Sequence, residues 1–205
     1  MRSYAAHLLT AGTLGGIAVA AAMLATHGAT VEGWQLATRY TARLSFFLFL
    51  AVYLVSPLSR VWRPAFVANA MRQRRGLGLA FAGAHFVHLA ALLTFFQASG
   101  EAPEPAVVAA GGLGYVFIAA MAATSNDWSF RTLGPKRWHL LHRVGLHYVW
   151  LIFALTILGR VAEPANDPEP VAHLVMLALA LAALAFRIGV FLVRRSPKTA
   201  QGGTP

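Results

Sequence analysis

Apolar runs of roughly 20 residues, each long enough to cross a bilayer as a helix, alternate along this chain with short polar connectors. The runs fall at 6–26, 42–58, 77–98, 106–124, 138–159 and 171–193. Pro57, Pro64, Pro103, Pro105, Pro135, Pro164, Pro168 and Pro170 fall at or beyond the ends of these runs, where a missing N–H costs a helix nothing. The pattern predicts an all-α protein, a bundle of six transmembrane helices forming one domain over 1–193. The last residues, 194–205, contain no apolar run and are expected to form a disordered tail on the inner side. Gly12 and Gly16 in the first run, and Gly111, Gly112 and Gly114 in the fourth, are expected to let helices approach closely.

Composition supports this reading, with 58% hydrophobic and 12% charged residues. A net charge of +10 would suggest nucleic acid in a soluble protein, but here its distribution argues for topology. With the N-terminus inside, the inner segments carry thirteen basic residues, including Arg60, Arg63, Arg72, Arg74, Arg75, Arg131, Lys136 and Arg137. The outer connectors carry Arg39, Arg43, Arg160 and six of the seven acids. That is a positive-inside asymmetry, so the expected partner is a lipid bilayer and not nucleic acid, with both termini cytoplasmic. The first run could instead be a signal peptide cleaved near Ala29. It is longer than a signal core and follows a single arginine, which favours a retained helix.

Chemistry is confined to imidazole. Cysteine is absent, which excludes disulfides, thiolate metal sites and covalent c-type haem attachment. No acid falls inside any of the six runs, so carboxylate metal clusters and acid-paired catalytic histidines are disfavoured. The third run carries His85 and His88, and the fifth carries His139, His142 and His147. Ionisable residues at membrane depth are costly and face an interior, a ligand or water. Neutral imidazoles on two helices suit the axial ligation of a b-type haem; hydrogen bonding to a neighbouring carbonyl is the alternative for each one singly. His7, His27, His139 and His173, near the interfaces, are read in that second way, and His88 and His142 in the first.

The stretch "RQRRGLGLAFAGAHFVHLAAL" (Arg72–Leu92), followed by "TSNDWSFRTLGPKRWHLLHRVGLHYVW" (Thr124–Trp150), resembles the ferric reductase-like transmembrane domain. The similarity is strongest to the haem-bearing membrane subunits of bacterial periplasmic methionine sulfoxide reductase systems. It begins near His27 and runs through the fifth span. The resemblance implies a haem b protein of the bacterial inner membrane that passes electrons from cytoplasmic flavin or quinol to an external acceptor. Its partners would be quinol or a separate flavin reductase inside and a periplasmic oxidoreductase outside. His88 and His142 match the family's iron-ligating histidines, but a further fifth-helix histidine is replaced by Leu155, at a position expected to face His88. Three arrangements follow: one haem near the inner leaflet on His142, with a sixth ligand from elsewhere; substitution by His85 or His147; or loss of haem. The first is expected, giving one haem rather than two.

No segment outside the spans can form a nucleotide-binding domain, so FMN or quinone would have to be bound by the membrane domain or by a partner. Arg74 and Arg75 are candidates for flavin phosphate or haem propionates, with anionic lipid as the competing ligand. Trp128 and Trp138 are read as interfacial anchors. A haem-free scaffold or small transporter on the same helices is the alternative function.

Overall fold

The computed structural model describes residues 2–163 and 168–195. The residues 164–167 and most of the predicted tail, 196–205, lie outside it. The described residues form seven helices: α1 (Arg2–His27), α2 (Val31–Val61), α3 (Ala65–Arg72), α4 (Arg74–Ser99), α5 (Pro105–Ala123), α6 (Asp127–Ala162) and α7 (Pro170–Arg195). All except α3 are long and apolar enough to cross a membrane, so the chain is a multi-pass membrane protein on an all-α bundle.

Two helices begin well before their apolar runs. α2 starts at Val31, with the Thr30 side chain accepting from the Gly33 N–H at 3.1 Å, the usual N-cap arrangement. Arg39 and Arg43, expected in an outer connector, therefore lie inside α2. Both reach Glu169, at 3.4 and 2.6 Å. That ion pair ties the outer end of α2 to the start of α7. α6 begins at Asp127 under an Asn126 cap and bends at Gly134, whose φ of 74° is readily available only to glycine. Pro135 then starts a second helical segment that carries all three histidines of the fifth run.

α1 and α4 run parallel in close contact, and α2 packs across both. A side chain on Gly12 would collide with the Ala80 backbone, and Gly16 lies against Ala84 and Val87, so these two glycines permit the close approach expected of them. Gly111 and Gly112 have open space in place of a neighbour, and the fourth run needs no such approach there. On the other side α6 packs between α5 and α7. It is fastened by the Tyr148 hydroxyl donating to the Ala110 carbonyl at 2.9 Å and the Trp150 indole donating to the Ala180 carbonyl at 3.0 Å. Phe49, Val52, Tyr53, Phe81, Ile118, Leu146 and Val149 form the central core.

Pro57 was expected at a span end but lies within α2. It leaves the Tyr53 carbonyl without its helical donor. Arg187 of α7 supplies a replacement, its Nη1 donating to that carbonyl at 2.7 Å while the guanidinium lies 4.7 Å from the centre of the Tyr53 ring. The short helix α3 was not expected from the pattern. It lies at the inner end of α2, with Trp62 and Phe66 exposed beside Arg60 and Arg63, a mixed surface suited to the headgroup region.

Candidate functional site

The structure divides the candidate histidines into two groups instead of gathering them in one pocket. His142 lies about 10 Å by helical rise beyond Pro135, and His88 about 21 Å beyond Arg74. Because Arg75 and Asp127 meet at 2.6 Å, α4 and α6 start from the same face of the bundle, the one that the charge pattern predicts to be inner. His142 therefore belongs to the inner half of the bundle, and His88 to the outer half.

In the inner group, the Nδ1 of His142 is 3.1 Å from the Trp138 carbonyl, one turn back. A carbonyl only accepts, so Nδ1 carries the proton and Nε2 presents a lone pair. Nε2 is buried and makes no hydrogen bond of normal geometry, although the Met121 carbonyl is in its neighbourhood. The Trp138 indole stacks on the imidazole with ring centres 3.8 Å apart, and its own N–H donates to the Thr124 carbonyl at 2.9 Å. Trp138 is therefore a support for the His142 ring, which corrects its reading as a plain interfacial anchor; Trp128, 71% exposed, fits that reading. The sequence signal for the support is the i, i+4 spacing of Trp138 and His142, which brings two side chains together on a helix. Arg74 is an electrostatic neighbour of His142, whereas Arg75 is engaged with Asp127.

The outer group is built differently. The Nδ1 of His88 donates to the Thr38 carbonyl at 3.1 Å, with the Thr41 hydroxyl at 3.3 Å, so His88 is fastened to α2. His85 lies in an aromatic cage: Tyr115 stacks at 4.9 Å between ring centres, Phe81 at 5.3 Å, Phe153 at 5.4 Å and His88 at 5.2 Å. Phe153, from α6, occupies the place opposite α4. Leu155 does not face His88 as expected: it is 54% exposed and points away from the bundle. The residue that matters there lies two positions earlier, because eleven residues from His142 is close to three whole turns and thirteen is not.

His147 stands apart from both groups. Its Nδ1 donates to the Arg143 carbonyl at 2.7 Å, and its ring meets Tyr53 edge-on at 5.8 Å. Among the described residues no second imidazole is in ring contact with His142.

At the outer rim Glu169 accepts from Arg43 at 2.6 Å and from the Tyr40 hydroxyl at 3.3 Å. The Arg43 hydrogen bond, opposed by partial burial and aided by the charges of Arg43 and Arg39, holds the Glu169 carboxyl below its ordinary pKa. A crevice of about 660 Å³ opens beside this pair, between Arg43, Phe47, Val171 and Met176.

Six apolar helices, with His85, His88 and His142 among the polar residues between them, define a polytopic membrane protein. Imidazoles that fix one nitrogen on a backbone carbonyl and leave the other unbonded are prepared for a metal. Comparison with known proteins narrows the class. The chain is 30% identical over 152 residues to the protein-methionine-sulfoxide reductase heme-binding subunit MsrQ of Agrobacterium fabrum, a match covering 71% of this chain and 66% of the relative. It is 29% identical over 167 residues to MsrQ of Bordetella parapertussis, covering 77% of each chain. It is 29% identical over 157 residues to MsrQ of Yersinia pseudotuberculosis, covering 69% of this chain and 70% of the relative. No protein-family model and no solved structure matches the chain. The chain belongs to the MsrQ family.

Proposed function

We propose that the chain is the haem-binding membrane subunit of a protein-methionine-sulfoxide reductase system, with one haem b held in the inner half of the bundle by His142. The observation that carries this reading is the buried, unbonded Nε2 of His142 on a ring whose other nitrogen is fixed by the Trp138 carbonyl. A residue set of this kind fits an iron ligand: the tautomer is set, the ring is held, and the free lone pair lies out of water. With no cysteine in the chain, the haem is held without thioether bonds.

Bound there, haem supplies a one-electron couple. The protein's part is to hold and tune it. The Trp138 carbonyl keeps the proton on Nδ1, the indole restricts ring rotation, and the Thr124 carbonyl fixes the indole in turn. Met121 and Phe117 pack against Gly145, one turn further along α6. In the orientation that the basic residues favour, with both termini cytoplasmic and the chain in the bacterial inner membrane, His142 would hold the haem within reach of a donor on the cytoplasmic side. The donor is quinol or a separate flavin protein. The acceptor is an external catalytic subunit that reduces methionine sulfoxide in proteins.

The test is spectroscopic. Protein purified from haem-replete cells should show a Soret band that shifts on dithionite reduction and a haem that extracts completely into acidified solvent. A colourless preparation contradicts the reading and favours a haem-free scaffold.

A further inference from the structure

At the end of α2, Ser56, Ser59 and Arg60 share one face of the helix, being three and four residues apart. Arg63, just past the cap, continues that column, because its Nε donates to the Ser59 carbonyl at 2.8 Å. Opposite them stand Ala68 and Met71, one turn apart on α3. Together these six residues line a cup of about 470 Å³, within the range of small-molecule sites. Ser56 is buried and the two arginines are exposed, so the cup runs from guanidiniums in reach of solvent to a hydroxyl within the protein. No acidic residue lines it, and among the described residues neither Arg60 nor Arg63 belongs to an ion pair. Two guanidiniums beside two hydroxyls, without a carboxylate, make a site for an anion, and the fork of a guanidinium suits the oxygens of a phosphate.

We propose that this cup binds the phosphate of an anionic phospholipid, taken from the leaflet that the charge pattern predicts to be inner. The surroundings favour a lipid over a phosphate from solution. Trp62 and Phe66, neighbours of Arg63 in the chain, are 55% and 61% exposed and meet edge-on at 5.3 Å. Exposed aromatics of this kind sit at the level of the headgroups, so the cup opens where lipid phosphates are most concentrated. Met71 gives it an apolar wall against which the glycerol end of an acyl chain can lie. The bound lipid also has a mechanical consequence. α3 buries only Val67, and a phosphate held by Arg60 and Arg63, with its chain against Met71, would brace this short helix on α2. The site is independent of the His142 reading, since none of its residues belongs to that group.

The experiment counts bound lipid by native mass spectrometry. Full-length protein, delipidated in a neutral detergent, is titrated with phosphatidylglycerol, with diacylglycerol of the same chains, and with flavin mononucleotide and inorganic phosphate as soluble phosphates. Wild type should bind its first phosphatidylglycerol at least about tenfold more tightly than diacylglycerol, the worth of one ordinary charge-assisted contact. Arg60→Gln and Arg63→Gln should each weaken phosphatidylglycerol by about tenfold and leave diacylglycerol unchanged. Arg60 makes no hydrogen bond to the described residues, so Arg60→Gln carries the test should Arg63→Gln, which also loses the Ser59 contact, not fold. Arg131→Gln removes the same charge from the same side of the chain outside the cup, and it should change the affinity by less than about twofold. Equal binding of phosphatidylglycerol and diacylglycerol by wild type overturns the proposal. So does an equal loss in Arg131→Gln, which would reduce the effect to general surface charge. If a soluble phosphate binds in place of phosphatidylglycerol and is weakened by the same two variants, the cup takes its phosphate from solution and the lipid assignment is wrong.

Discussion

The inner and outer halves of this bundle hold similar numbers of imidazoles in opposite ways. In the outer half, His85 is enclosed by Phe81, Tyr115 and Phe153, and His88 is fastened to α2 through Thr38. There the imidazoles act as packing and cross-bracing between helices. In the inner half His142 is braced on its own helix, stacked on Trp138, and leaves Nε2 without a hydrogen-bond partner. Buried polar atoms without a hydrogen-bond partner remain in both halves, Nδ1 of His85 and the Tyr115 hydroxyl in one and Nε2 of His142 in the other; the contrast lies in the ring of aromatics around His85 against the single stack on His142.

If that contrast is right, removing the outer cage should affect stability far more than colour. Phe153→Ala deletes a ring that touches Phe46, Phe49, Phe81 and His85. It should cost about 3 kcal/mol of stability, read as a lower thermal midpoint in detergent, with the Soret maximum unmoved. A shifted Soret band would place haem next to Phe153 and break the comparison. The next largest effect belongs to the inner half. Trp138→Ala removes the stacked support of His142 and should weaken haem retention by about tenfold, with little change in the thermal midpoint of the haem-free protein. Unchanged retention would mean that the stack is packing alone.

The six-helix class was legible in the sequence because it rests on apolar runs and charge sidedness, both nearly one-dimensional quantities. The site was legible only in part. His142 and His88 could be singled out by depth, but spacing alone could not show that α4 and α6 present their histidines at different levels. The error over Leu155 arose from a position carried across by alignment, whereas the helical phase from His142 points to Phe153. Trp138 was assigned to the interface because tryptophan is common there, and only its stack on His142 reveals otherwise. Arg187 lies inside the last apolar run, yet its bond to Tyr53 depends on Pro57 lying inside α2, where the pattern had placed a helix end.

Two smaller effects sharpen the contrast further. Glu169→Gln should cost under about 1 kcal/mol, since the pair is partly exposed at the outer rim. Because Arg43 holds the Glu169 carboxyl below its ordinary value of 4.5, the stability from this pair is fully present above that value. It is lost as pH falls through the depressed one. Thermal midpoints of wild type and Glu169→Gln should therefore converge on acidification below pH 4.5; a gap that widens there would reverse the sign. The smallest effect is expected from Leu155→His, which places an imidazole on the outside of α6. It should leave the haem-to-protein ratio unchanged, and an increase would mean that position 155 can reach α4 after all.

The central claim is that His142, and not the outer pair, holds the haem. Haem content of His142→Ala and His88→Ala, purified side by side and normalised to folded protein, tests it most directly. His142→Ala should lose about nine-tenths or more of the Soret absorbance, the loss of a bond on which cofactor retention depends. His88→Ala should keep nearly all of it and show only a lower thermal midpoint from the broken brace to α2. Haem retained in His142→Ala and lost in His88→Ala would contradict the account and move the site to the outer half.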